Sequence, residues 1–86
     1  MINCTESGKK VVVKRVDAKI YPGIHKLNEA LNRKMDIFES LGYLVDRNDE
    51  ATKIAHEMTD NGDYRDILII PSGSIISIQL LTVLTV

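Results

Sequence analysis

The sharpest chemical pattern in the chain is His56-Glu57-Met58-Thr59-Asp60. On a helix, residues four apart share one face, so His56 and Asp60 would point the same way beside Glu57. Two ligands at that spacing with a glutamate as base is how zinc hydrolases are built. A catalytic zinc needs a third protein ligand, however, and His25 is the one other histidine. Asp46, Asn48, Glu50 and Glu57 fall at positions 1, 3, 5 and 12 of a calcium-loop template. Its sixth position, a glycine that makes the sharp turn, is Ala51 here, and Lys53 would intrude on the ion. Ser7-Gly8-Lys9 lacks the first glycine and the preceding strand of a phosphate loop. Cys4 is the single cysteine, with no histidine near it in sequence to activate it. No Ser/His/Asp or Cys/His arrangement is visible. The expectation is a non-catalytic protein with no metal and no cofactor.

What remains is charge. The net charge of −1 hides two unlike halves. Residues 1–34 hold eight Lys/Arg against Glu6, Asp17 and Glu29, whereas residues 35–66 hold nine Asp/Glu against Arg47, Lys53 and Arg65. The acidic half, read as a helix with flanking loops, presents Asp46, Asp49, Glu50, Glu57, Asp60 and Asp63 as one negative surface. Carboxylates spaced along a helix approximate phosphate spacing, and such a surface attracts a basic partner and loses it as salt rises. The first functional expectation is therefore an interaction or regulatory protein whose acidic patch occupies the basic surface of another protein. That partner would be a DNA-binding or nucleoid protein, and the patch a DNA mimic; by analogy of size and charge, phage-encoded inhibitors work in this way. The second expectation is a nucleic-acid-binding module using the basic 9–34 segment. It is weakened because Tyr21, Phe38, Tyr43 and Tyr64 are the only aromatics and few fall near those cations. The third is a homo-oligomeric structural domain without a charged ligand.

Eighty-six residues make one domain with a small core, here resting on Ile, Leu and Val. Residues 1–8 read as a flexible leader, and 9–86 as the domain. The β-branched run Val11-Val12-Val13 with Val16 and Ile20 predicts a strand over 9–21, with Val12, Val16, Ala18 and Ile20 on one face. Pro22-Gly23 stops it. Ile24, Leu27, Leu31, Met35, Phe38 and Leu41 recur at three- and four-residue steps, predicting a helix of about five turns ending at Gly42. Residues 43–45 would add a short strand. Ala51, Ile54, Ala55 and Met58 mark the buried side of a second helix, capped by Asn48 or Asp49.

The uncharged stretch from Ile67 to Val86 is long enough to span a membrane as a helix. Pro71-Ser72-Gly73-Ser74 breaks it, and Ser77, Gln79, Thr82 and Thr85 dilute it, so a β-hairpin is expected instead. With no long apolar run in residues 1–20, the expected setting is cytoplasmic. The predicted fold is α+β: two layers, a mostly antiparallel sheet from 9–21, 67–70 and 75–86, and two helices packed on one face. The final strand is apolar on both faces and undefended by Lys or Pro. Ile78, Leu80, Leu81, Val83 and Leu84 are therefore expected to form a homodimer interface.

Overall fold

Val11 and Val13 are completely buried, and the architecture follows from what covers them. A computed structural model describes residues 6–81. It contains β1 (Lys10–Val16), a short helix α1 (Leu27–Leu31), β2 (Ile37–Arg47), β3 (Ala51–Met58), β4 (Tyr64–Pro71), a 3-10 turn at Ser72–Ser74, and β5 (Ile75–Leu80). The five strands form one antiparallel sheet in the order β4-β3-β2-β1-β5. Among the described residues no helix is long and apolar enough to cross a membrane.

That order puts β4 and β5 on opposite edges, although only Ser72–Ser74 joins them. In a flat sheet the two edges would lie four strand spacings apart, about 19 Å. The four steps from Pro71 to Ile75 reach about 14 Å at full stretch. The sheet therefore curls until its edges approach at one end, giving a half-closed barrel. Two irregularities let it bend. The β2–β3 register shifts between Leu44 and Asp46, and the β1–β5 register shifts between Lys14 and Arg15. Such bulges bend a strand and sharpen its twist.

Strand β2 serves two layers. Its first half, Ile37 to Tyr43, pairs with β1, and its end, Tyr43 to Arg47, pairs with β3. Val11 and Val13 of the first layer meet Leu44, Ile54 and Ile70 of the second, and Ile75 and Ile78 pack against them. The changeover sits at Gly42, the only residue type that fits: a side-chain carbon there would lie 2.7 Å from the Ala55 carbonyl oxygen. The open end is tied by Asn48, whose Oδ1 accepts from the Glu50 and Ala51 amides at 2.8 and 3.1 Å. The Ser72 amide donates to Glu50 O at 2.9 Å and its hydroxyl to Asn48 O at 3.2 Å, so the 3-10 turn is fastened to the β2–β3 turn.

The α+β expectation, two helices packed on one face of a sheet, is overturned. The stripe from Ile24 to Leu41 becomes a helix only at Leu27–Leu31, and no residue of that helix is buried. From Ile37 onward the β-branched and aromatic residues win, and the stripe continues as β2. The second predicted helix is β3: Thr52 and Ile54 alternate inward, while Ala51 and Met58 matched a helical period by coincidence. Residues 67–70 and 75–80 are strands as expected, but they do not pair with each other, so the hairpin is replaced by strands on opposite edges. The strand at 9–21 ends at Val16, and its buried side is Val11 and Val13 rather than Val12 and Val16. Ser7 and Gly8, read as leader, bond to β2: Gly8 N to Leu44 O at 2.7 Å and Ser7 Oγ to Val45 O at 2.9 Å.

Candidate functional site

The six carboxylates expected on one helical face are divided by β3. Asp46, Asp49 and Glu50 lie at the β2–β3 turn, while Glu57, Asp60 and Asp63 lie at the β3–β4 hairpin. Six strand residues, Ala51 to His56, stand between Glu50 and Glu57, about 23 Å along the strand. At the first turn Asp46 takes a 3.4 Å hydrogen bond from Asn48 Nδ2, and Arg47 and Lys53 stand nearby in sequence.

The hairpin is the more uniformly negative of the two. Glu57, Asp60, Asp63 and Asp66 are all exposed, and Arg65 is the one cation between residues 57 and 66. Arg65 reaches Glu57 at 3.0 Å and Asp66 at 3.8 Å, which leaves Asp60 and Asp63 at the tip without a cation among the described residues. The tip is firmly built. The Thr59 amide donates to Asp63 O at 2.8 Å, the Gly62 amide to Thr59 O at 3.0 Å, and the Asp63 amide to Thr59 Oγ1 at 3.1 Å. The carboxylates are thus displayed on a fixed turn.

The basic half is less free than its sequence suggests. Lys14 faces Glu39 at 3.8 Å, Arg15 binds Asp17 at 2.6 Å, and Lys19 binds Asp36 at 2.8 Å. The Asp36 carboxylate, and secondarily the Tyr21 hydroxyl, raise the Lys19 pKa above its ordinary 10.5. The aromatics that seemed remote from these cations are brought to them by β2 and the 17–36 connection. Lys10 stands 5.9 Å from the Tyr43 ring centre and Arg15 5.2 Å from that of Phe38, while Lys19 and Arg33 flank Tyr21 at 4.9 and 5.1 Å.

Among the described residues neither the zinc-like nor the calcium-like pattern is assembled, and Cys4 lies outside them. His56 and Asp60 would stand close enough to share an ion only on a helix, and β3 is a strand that ends at Met58. Asn48, a calcium ligand in the template, is spent on building its turn. No group of three His, Cys, Asp or Glu stands close enough to hold a metal among the described residues. A cleft that no local sequence pattern announces opens where β2 and β3 part beyond Gly42. It encloses about 280 Å³ and is lined in part by Glu39, Ser40, His56 and Asp66. Ser40 Oγ accepts from Arg15 Nε at 3.0 Å, and no hydrogen bond joins it to His56 or Asp66 among the described residues.

Of the residues expected at a dimer interface, Ile78 turns inward against the core. Leu80 and Leu81 are exposed beside the free edge of β5. Val83 and Leu84 lie outside the described residues. No family model, curated protein or solved structure matches the chain.

Proposed function

We propose that this chain is a non-catalytic binding protein whose acidic β3–β4 hairpin takes up the basic surface of a partner protein. The observation that carries this reading is the tip itself. Asp60 and Asp63 are exposed, unpaired by any cation among the described residues, and fixed by a hydrogen-bonded turn. A rigid anionic turn loses little side-chain and loop entropy on binding, and it steers a cationic partner through long-range attraction. The second carboxylate group, Asp46, Asp49 and Glu50, lies one strand length away. A basic surface long enough to meet both is one suited to an extended polyanion, which favours a DNA-binding protein as the partner.

A nucleic-acid-binding role for residues 9–34 is the second reading. It is favoured by the cation–aromatic contacts at Tyr21, Phe38 and Tyr43, which resemble the stacking platforms of single-strand binders. It is opposed by the commitment of Lys14, Arg15 and Lys19 to carboxylates.

Capture from a lysate of the source cell at low salt, with and without nuclease, separates the two. Recovery of a basic protein that resists nuclease and is released by high salt supports the first reading. Recovery of nucleic acid alone supports the second. Reversing Glu57, Asp60 and Asp63 to lysine should weaken capture about ten-fold or more, since each exposed charge contributes up to about 1 kcal/mol. Unchanged capture would sink the acidic-hairpin reading.

A further inference from the structure

Residues 17–36 form an arm that is built inside out. Several of its polar side chains bond within it. Tyr21 Oη donates to Lys34 O at 2.7 Å, and Lys19 closes the base onto Asp36 at 2.8 Å. His25 Nε2 lies 3.1 Å from both Tyr21 O and Pro22 O, and its Nδ1 takes a 3.4 Å contact from Arg33. Its apolar side chains, by contrast, face solvent. Ile24 is fully exposed, Ile20 is 88% exposed, and Leu27 and Leu31 are each 75% exposed. The series continues through Met35 into β2 at Ile37 and Leu41, all more than half exposed.

We infer that this arm is the contact surface between two copies of the chain. At roughly 100 Å² of apolar surface per fully exposed Leu, Ile or Met side chain, these seven residues, at their observed exposures, offer on the order of 500 Å². That is towards the upper end of the largest patch a soluble monomer exposes. It matches the apolar share of a standard interface, which buries about 800 Å² on each partner and is a little over half apolar. The charges around the patch point to a second copy. Residues 14–41 hold six Lys/Arg and four Asp/Glu, and three of those cations are already paired with carboxylates. With so small a net charge, an identical patch approaching across a two-fold axis meets little repulsion.

Sedimentation of the intact chain at micromolar concentration tests this. The expected result is a dimer that Leu27→Asp with Leu31→Asp converts to a monomer. Both residues are exposed and outside the barrel, so the strand circular dichroism and unfolding midpoint should be retained. Ile24→Asp, one step earlier in the series than Leu27, should weaken the dimer by itself. A monomeric wild-type chain would overturn the inference, as would a dimer untouched by these changes. So would a dimer broken by Leu80→Lys alone, which would move the interface to the β5 edge. None of these readouts depends on the acidic hairpin, so this inference and the proposed function stand or fall separately.

Discussion

Gly42 lies so close to Ala55 that a side-chain carbon on it would stand 2.7 Å from the Ala55 carbonyl oxygen and 3.2 Å from Ile54 Cβ. The obstacle is backbone, so it cannot swing aside. This contact is where β2 leaves one layer and joins the other. Gly42→Ala is expected to cost about 1–3 kcal/mol, the usual penalty of overpacking. The check is a lower urea midpoint at unchanged slope. Gly73→Ala, which meets nothing within 4 Å, should stay within about 0.5 kcal/mol of wild type.

Leu44 is the largest fully buried side chain and touches both layers of the core. Leu44→Ala should destabilise by about 2–5 kcal/mol, the range for buried leucine truncation. Ile69→Ala, on a residue that is mostly exposed, should cost well under half as much. Equal losses at the two sites in chemical denaturation would contradict the placement of the core.

Asn48 holds two amides with its side chain and accepts from Ser72 with its backbone. Asn48→Ala removes the first pair of bonds and should cost about 1–2 kcal/mol. Because the 3-10 turn is tied to the same loop, amide exchange at Ser72 should quicken along with that at Glu50. Faster exchange at Glu50 alone would show that the two turns are independent.

Lys19 gives the arm a pH dependence of definite sign. Its pKa is raised in the folded chain, chiefly by Asp36. The stabilisation is therefore complete below 10.5, the ordinary lysine value, and is lost as the pH climbs through the higher folded value. Side-chain NMR of Lys19 should show a midpoint above 10.5, and Asp36→Asn should bring it down. A midpoint indifferent to Asp36→Asn would show that the ion pair at the base of the arm is absent in solution.

How much of this was legible depended on which signal each segment carried. The β-branched runs at Val11–Val13 and Ile67–Ile70 announce strands without help. The phase of β1 does not follow, because three consecutive valines give both faces an apolar residue; tertiary contact with Leu44 decides it. Residues 24–41 carry a genuine three- and four-residue period, yet a helix is stabilised mainly by packing its apolar face. Among the described residues nothing buries that face, and only Leu27–Leu31 is helical. Ala51, Ile54, Ala55 and Met58 fit a helical template, whereas Thr52 and Ile54 fit a strand, and small alanines satisfy both. The acidic residues were readable as a group. Their division into two clusters was not, because it follows from that one choice of period. The pairing of β1 with β5 is a long-range fact that no local pattern announces.

That pairing also orders events in time. Every other neighbouring pair in the sheet joins strands adjacent in sequence, whereas Val13 meets Ile78 across about 65 intervening residues. β1 to β4 can assemble as a meander before the last strand arrives, but Val11 and Val13 then lack Ile75 and Ile78, and the outer edge of β1 stands open. Contacts so distant in sequence slow folding. The species waiting for them would display an apolar cleft beside an unpaired strand of β-branched residues, the combination that drives misassembly. The closing strand is thus a kinetic safeguard, and substitutions in Ile75–Leu80 should lower soluble yield more than their effect on equilibrium stability would suggest.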